Sequence, residues 1–118
     1  MIRVLIVDDS PTTRAFLAHV LEREPDLEVV GAAADGEQAL VQVERLRPDL
    51  VTMDIAMPRM NGFEATRRLM ETNPLPIVIC SASWSSSDVE KTFQAMEAGA
   101  VAAVEKPVGL AHPDHERL

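Results

Sequence analysis

The side chains of this sequence that could bind a cation and an anionic group each lie just after a short apolar run. They are Asp8, Asp9, Asp54, Ser81 and Lys106. If the runs are parallel strands of one sheet, their carboxyl ends meet at the edge where open α/β sheets bind ligands. Three carboxylates gathered there repel one another unless a cation lies between them, and Mg²⁺ takes one or two carboxylates while leaving a position for a phosphoryl oxygen. The pattern therefore predicts a Mg²⁺ site beside a lysine and a hydroxyl that contact an anion.

Each of these residues also has an ordinary structural interpretation. An Asp-Asp pair after a strand is commonly an exposed turn, and a single Asp before a loop commonly caps a helix. Their joint placement favours function, because unrelated acidic residues have no reason to gather with Lys106 and Ser81 at the ends of successive runs.

Short apolar runs of strand length alternate along the chain with longer segments of helical period. The runs occupy residues 2–7, 27–33, 50–53, 77–80 and 101–104. The predicted helices begin at Ser10, Asp35, Asn61 and residues 85–87. Regular alternation is typical of a parallel sheet covered by helices, and the unbroken Val, Ile and Leu content of the runs predicts strands buried on both faces. We therefore predict a chain of the form βαβαβαβαβ.

The composition is that of one soluble domain. The sequence has 118 residues, which is too few for two domains. Hydrophobic residues make up 47% of it, which is enough to bury one core. The formal net charge of -8 repels phosphate backbones and argues against direct nucleic-acid binding. The single cysteine, Cys80, excludes an internal disulfide, and no apolar run approaches the length of a membrane span. We expect a cytoplasmic domain over residues 1–107 with no membrane insertion, followed at 108–118 by a tail, the start of a fifth helix or a linker.

Four motifs stand at the ends of the predicted strands. They are Val-Asp-Asp-Ser at positions 7 to 10, Met-Asp-Ile-Ala-Met-Pro-Arg-Met-Asn-Gly at 53 to 62, Cys-Ser-Ala-Ser at 80 to 83 and Glu-Lys-Pro at 105 to 107. In order and spacing they resemble the receiver domain of two-component response regulators, and the resemblance spans residues 1–107. It implies a flavodoxin-like, doubly wound α/β fold whose five parallel strands have the order 2-1-3-4-5.

The resemblance also implies a role for each residue of the cluster. Asp54 would be the phosphoacceptor, Ser81 the switch hydroxyl and Lys106 the partner of the phosphoryl group. The Mg²⁺ ligands would be Asp8, Asp9, Asp54 and the backbone carbonyl of Ala56. A sensor histidine kinase would phosphorylate Asp54, and the modified domain would then act on an effector domain or a downstream protein. Such a switch catalyses only its own phosphorylation and dephosphorylation, so we expect no enzyme acting on a separate substrate.

A more specific resemblance concerns chemotaxis. Residues 54–83 and 105–114 resemble the receiver half of chemotaxis protein-glutamate methylesterases. The alternative function is therefore that of a regulatory fragment of such an esterase. The catalytic part is not in this chain, because the sequence has no Gly-x-Ser-x-Gly turn.

Two features depart from the family pattern. Receiver domains usually carry an aromatic residue three positions before the lysine, where this sequence has Ala103, so we expect the loop from Ser81 to Trp84 to transmit phosphorylation. The family also ends with a full fifth helix, which is truncated or missing here. Without that helix, a strip of the sheet beside the last strand is uncovered, and we expect residues 108–118 or a second chain to cover it. If the second chain is another copy of this one, the result is a homodimer through that face. We also expect the natural protein to continue past Leu118.

Two other classes of protein share parts of this pattern. A Mg²⁺-dependent phosphatase with an aspartate nucleophile needs an acid two residues later, where this chain has Ala56. A flavin-binding module of the same topology would want hydroxyls and amides after the first strand, where Asp8 and Asp9 present negative charge. A metal-dependent phosphorylation assay separates the three classes.

Overall fold

Strands and helices alternate as the sequence predicts in the computed structural model, which describes residues 1–81 and 86–106. In chain order the elements are β1 (Ile2–Val7), α1 (Pro11–Glu22), β2 (Leu27–Ala33), α2 (Gly36–Leu46), β3 (Leu50–Met53), α3 (Gly62–Thr72), β4 (Ile77–Ser81), α4 (Ser86–Ala98) and β5 (Ala102–Glu105). The five strands form one parallel sheet in the order β2-β1-β3-β4-β5. The flavodoxin-like order inferred from the motifs is confirmed.

Local capping sets the starts of three helices. Ser10, Asp35 and Asn61 precede α1, α2 and α3, and each side chain accepts a hydrogen bond from the backbone N–H three residues later, at 2.9–3.2 Å. Each bond satisfies a backbone donor that a helix start otherwise leaves unpaired. The helix starts that position the site are therefore encoded locally, as predicted.

Apolar side chains are buried on both faces of the sheet. A larger cluster lies between the sheet and α2, α3 and α4, and it includes Leu5, Val51 and Ile79. A smaller cluster around Val4 and Ile6 lies under α1. Because β1 and β3 are buried neighbours in the middle of the sheet, their carboxyl ends are held side by side.

Strands β4 and β5 each end one residue later than predicted, and β5 also begins one residue later, at Ala102. Ser81 is the last residue of β4 rather than the first residue after it, and it is paired with Glu105 at the end of β5. Pairing between strands sets these ends, because a polar residue can still satisfy its backbone groups in the ladder.

Strand β5 carries an exposed apolar side chain on one face. Ala103 packs into the larger cluster, so its neighbour Val104 faces the side of the sheet that carries α1. There α1 packs on β1 and β2, and Val104 is 47% exposed. The expected cover by residues 108–118 lies outside the described residues and stays a prediction. Within residues 1–81 and 86–106, no helix has the length and apolar character to span a bilayer.

Candidate functional site

Two buried carboxylates lie at the adjoining ends of the central strands. Asp8 follows β1 and Asp54 follows β3, and their exposed fractions are 1% and 5%. The backbone N–H of Asp54 donates to the Val7 carbonyl at 2.9 Å, and that of Asp8 donates to the Ala33 carbonyl at 3.0 Å. The sheet ladder thus continues one residue past each strand and holds both aspartates by their backbones.

Asp9 completes a group of three carboxylates. One carboxylate oxygen from each of Asp8, Asp9 and Asp54 lies within 4.8 Å of the other two, and Asp9 is the exposed member of the group. Mg²⁺ accepts few protein ligands and retains several waters, which this arrangement allows because one side of the group faces solvent. The residues present therefore fit the predicted cation.

The surroundings of Asp54 disfavour its charged form. Burial first and the charge of Asp8 next raise the pKa of Asp54, Lys106 opposes them, and the net result is a pKa of about 7. A divalent cation beside the carboxylate would favour ionisation. Metal binding and ionisation of Asp54 therefore support each other.

Lys106 lies against both buried carboxylates. Its Nζ is 2.5 Å from Oδ2 of Asp8 and 3.5 Å from Oδ1 of Asp54. Burial alone would lower the pKa of Lys106, but the hydrogen bond to Asp8 and the charges of Asp54 and Asp8 outweigh it, so the pKa is raised. The ammonium group is therefore a permanent positive charge in the crevice.

The turn between β1 and α1 is held by Asp8 itself. The backbone N–H of Ser10 donates to Oδ1 of Asp8 at 2.9 Å, and Nη1 of Arg14 donates to the Asp8 carbonyl at 2.7 Å. The sequence pattern did not single out Arg14. A cation in the first turns of the helix that follows an acidic pair is the signal that could have found it.

The loop after Asp54 closes on itself. The backbone N–H of Gly62 donates to the Ile55 carbonyl at 2.9 Å, and a Cβ on Gly62 would collide with the Asp54 carbonyl oxygen. Glycine is therefore required at this close approach. Ala56 lies exposed in this loop, two residues after Asp54.

The sequence pattern also missed an ion pair that involves the loop after Asp54. Arg59 forms an ion pair with Asp35, which the sequence pattern marked only as the start of a helix. The signal that could have found this pair is an arginine in a tight turn, at a position whose backbone conformation glycine adopts more easily.

Similarity over almost the whole chain decides the family. The sequence profile described as the response regulator receiver domain matches residues 4–113. The chain belongs to this family.

The receiver domain is similar to one part of a longer class of proteins. It is 61% identical over 107 residues to protein-glutamate methylesterase/protein-glutamine glutaminase 1 of Syntrophus aciditrophicus, covering 91% of this chain and 31% of that protein. It is 56% identical to protein-glutamate methylesterase/protein-glutamine glutaminase 4 of Geobacter metallireducens, covering 99% of this chain and 34% of that protein. The chain thus spans about a third of the length of these curated relatives.

Solved structures agree with the family. The crystal structure of the response regulator domain of Thermotoga maritima CheB superposes with a TM-score of 0.85 at 37% identity, covering 99% of this chain and 87% of that chain. The CheX-CheY-BeF3-Mg+2 complex from Borrelia burgdorferi gives a TM-score of 0.79 at 30% identity, covering 93% of this chain and 81% of that chain. The resemblance to response-regulator and chemotaxis receiver domains is confirmed.

In this receiver domain the predicted residues are brought to one edge of the sheet. Ser81 is 3% exposed at the end of β4, and its carbonyl accepts the Lys106 N–H at 3.1 Å. Ala103 packs into the larger core cluster in the middle of β5, with no ring at that position. Trp84, which we expected to respond to phosphorylation, lies outside the described residues.

Proposed function

We propose that this receiver domain accepts a phosphoryl group on Asp54 from the phosphohistidine of a sensor histidine kinase, in a reaction that requires Mg²⁺. The carrying observation is the buried Asp54 carboxylate, which shares its crevice with two further carboxylates and lies 3.5 Å from the ammonium group of Lys106. A buried carboxylate with a raised pKa beside a lysine is costly as structure alone and is typical of a reactive site.

The proposed step is an in-line displacement at phosphorus. An oxygen of the ionised Asp54 carboxylate attacks, and a new O–P bond forms while the N–P bond to the kinase histidine breaks. The electron pair of the broken bond leaves with the imidazole nitrogen. The product is an acyl phosphate on Asp54.

Lys106 and Ser81 would stabilise the transferring group. Negative charge spreads over the phosphoryl oxygens in this step, and Lys106 Nζ is near enough to Asp54 to meet an oxygen attached there. The hydroxyl of Ser81 would donate to a second oxygen as the switch contact. Mg²⁺ held by Asp8, Asp9, Asp54 and the Ala56 carbonyl would supply the remaining positive charge.

Phosphorylation of purified variants tests the site. The chain is incubated with acetyl phosphate, with and without Mg²⁺, and the gain of one phosphoryl mass is followed by mass spectrometry. We expect the wild type to be modified only with Mg²⁺ and Asp54→Asn not to be modified. Asp26→Asn is the matched control, since Asp26 is exposed between α1 and β2. Modification of Asp54→Asn would move the phosphoacceptor to another residue.

We further propose that the chain regulates a protein-glutamate methylesterase. The support is that the similar curated proteins are such esterases and that the chain corresponds to about a third of their length. The esterase activity would then belong to a catalytic domain outside this chain, and the chain itself would catalyse only its own phosphorylation and dephosphorylation. The reading frame downstream of Leu118 tests this, because a regulatory fragment requires an encoded hydrolase domain there.

Location and assembly follow from the same proposal. A cytoplasmic location is part of this proposal, because the phosphohistidine donor would be made from ATP. The exposed side chains of Val101 and Val104 would be covered by residues 108–118, by an effector domain or by a second copy of the chain. Sedimentation of the chain distinguishes the homodimer from the other two.

The enzyme and flavin alternatives receive no support from the site. Ala56, where a phosphatase needs an acid, lies exposed in the loop after Asp54, and the family is that of receiver domains. A flavin phosphate would meet the carboxylates of Asp8 and Asp9.

A further inference from the structure

One ion pair, buried at its carboxylate end, attaches the loop after Asp54 to the start of α2. Oδ2 of Asp35 accepts hydrogen bonds from Nε and Nη2 of Arg59 at 2.9 and 2.6 Å, across 24 residues of sequence. The Asp35 side chain is 2% exposed, whereas that of Arg59 is 59% exposed. Two donors of one guanidinium on a buried carboxylate make the contact directional as well as strong.

Capping of α2 does not by itself account for this pair. Oδ1 of Asp35 accepts the Gln38 N–H at 2.9 Å and thereby caps the helix, which leaves Oδ2 for Arg59. The Gln38 bond first and the Arg59 bonds next hold the pKa of Asp35 below its usual range. The carboxylate therefore stays ionised at neutral pH and keeps its hold on the arginine.

Arg59 has a backbone conformation that most side chains avoid. Its φ is 64°, and the Met60 N–H donates back to the Pro58 carbonyl at 2.7 Å, which closes a three-residue turn around it. Glycine adopts this conformation most easily, and other residues persist there when surrounding contacts hold them. An arginine at this position supplies an anchoring side chain that glycine lacks.

A second contact joins the same two segments. The backbone N–H of Gly36 donates to the Met60 carbonyl at 3.1 Å, and a Cβ on Gly36 would lie 2.7 Å from that oxygen. The first residue of α2 and the end of the turn therefore meet backbone to backbone. The ion pair between Asp35 and Arg59 adjoins this contact on both segments.

The loop that would supply the Mg²⁺ ligands is thus held at three points. Asp54 is held by its hydrogen bond to Val7 in the sheet ladder, Ile55 by the N–H of Gly62, and residues 59–60 by the start of α2. Ala56 lies between the second and the third point. Movement of the third point would shift the backbone that carries the Ala56 carbonyl.

We propose that the ion pair between Arg59 and Asp35 positions the segment from Asp54 to Ala56 for Mg²⁺ binding. Both are positioning residues, because they contact the loop and not the metal. The inference rests on the proposed function, since it concerns the affinity of the same metal site.

Long-range electrostatics and loss of positioning predict opposite changes in Mg²⁺ affinity for one of the two partners. Arg59→Gln removes a positive charge and would strengthen Mg²⁺ binding if only long-range charge mattered, whereas Asp35→Asn would weaken it. Loss of positioning weakens binding in both variants. The direction of the Arg59→Gln effect therefore separates the two explanations.

The experiment is a titration with MgCl2 at constant ionic strength, followed by amide NMR shifts. We expect Arg59→Gln and Asp35→Asn each to raise the Kd for Mg²⁺ about tenfold, the lower end of the range for residues behind metal ligands. The double variant should bind no more weakly than the weaker single variant, because either change removes the same contact. Arg59→Lys should bind Mg²⁺ more tightly than Arg59→Gln, because lysine keeps a positive charge that can pair with Asp35. Asp35→Asn keeps a side-chain oxygen that can cap α2, so it tests the ion pair and not the cap.

Two further variants control for charge and for backbone strain. Arg67→Gln removes the same charge from the exposed face of α3, where Glu64 retains Arg68 as a partner, and it should not raise the Kd. Arg59→Gly eases the turn and removes the anchor, so it should weaken binding as Arg59→Gln does. Unchanged or tighter binding in Arg59→Gln, or wild-type affinity in Arg59→Gly, would overturn the inference.

Two readouts separate this inference from the proposed function and from a purely structural role. Faster hydrogen exchange of the Gly36 N–H in Arg59→Gln, without metal, is expected if the ion pair holds the turn; unchanged exchange counts against it. A wild-type chain that binds no Mg²⁺ overturns the proposed function and this inference with it. A wild type that binds Mg²⁺, with variants that lose only stability and keep its Kd, overturns this inference alone.

Discussion

Lys106 is bonded more closely to Asp8 than to Asp54. Its Nζ is 2.5 Å from Oδ2 of Asp8 and 3.5 Å from Oδ1 of Asp54. The lysine therefore neutralises the more deeply buried carboxylate and remains within a short movement of the residue that we propose as the phosphoacceptor. A cation already in the crevice needs little reorganisation to meet new negative charge.

Replacing this lysine should make Asp54 harder to ionise. In Lys106→Met the charge that lowers the pKa of Asp54 is removed, so the pKa should rise above about 7. The pH at which the Asp54 carboxyl titrates in carbon NMR, without Mg²⁺, measures this. Lys91→Met is the matched control: it changes the other lysine of the sequence, which lies on α4 away from the site, and should leave the titration of Asp54 unchanged. A lower or unchanged pKa in Lys106→Met would contradict the arrangement.

The pH dependence of stability should carry a contribution from Asp54. Its pKa is about 7 in the folded chain against an ordinary value of 3.8, so the folded state binds the proton more tightly. The resulting stabilisation is fully present below pH 3.8 and is lost as the pH rises through about 7. One pKa unit corresponds to about 1.4 kcal/mol, so the loss is at most about 4 kcal/mol.

Asp54→Asn removes the titrating group, so comparing it with the wild type measures the loss of stability that Asp54 causes as the pH rises. Between pH 5 and pH 8, in urea with EDTA present, the free energy of unfolding of the variant should rise relative to that of the wild type, because only the wild type loses the contribution of Asp54. Added Mg²⁺ should reduce the difference, because a cation favours the ionised carboxylate. Parallel pH profiles for the two proteins would exclude the raised pKa.

The exposed carboxylate of Asp9 should matter for metal affinity. Asp9→Asn replaces a charged ligand oxygen with a neutral one at the open side of the group, so the Kd for Mg²⁺ should rise about tenfold, or about 1.4 kcal/mol. Asp26→Asn changes the same charge away from the group and is the control. Equal titration curves for Asp9→Asn and the wild type would remove Asp9 from the ligand set.

Gly62 should tolerate no side chain. In Gly62→Ala the added Cβ collides with the Asp54 carbonyl oxygen, which is backbone and cannot move aside, so we expect a loss of about 1–3 kcal/mol in the free energy of unfolding. Gly31→Ala is the comparison, because the Cβ there meets the end of the flexible Leu46 side chain at 2.6 Å. Urea unfolding should rank Gly62→Ala as the more destabilised, and the reverse order would refute this.

The sequence alone determined the order of the elements and the edge at which the site forms. Apolar runs of strand length that alternate with helical segments are typical of a parallel sheet covered by helices, and capping at Ser10, Asp35 and Asn61 uses contacts within three residues. Once the strands are parallel, residues that follow them share one edge. The gathering of Asp8, Asp54 and Lys106 was therefore predictable without coordinates.

The tertiary structure decided how those residues are paired. Sequence spacing cannot tell whether Lys106 bonds Asp8 or Asp54, whether Ser81 ends β4 or follows it, or whether burial lifts the pKa of Asp54. The pair of Asp35 and Arg59 likewise depends on how α2 and the loop after β3 meet across 24 residues. Local patterns encode conformation and burial, whereas contacts between distant residues depend on the packing of whole elements, and that packing decides the partners and the electrostatics of the site.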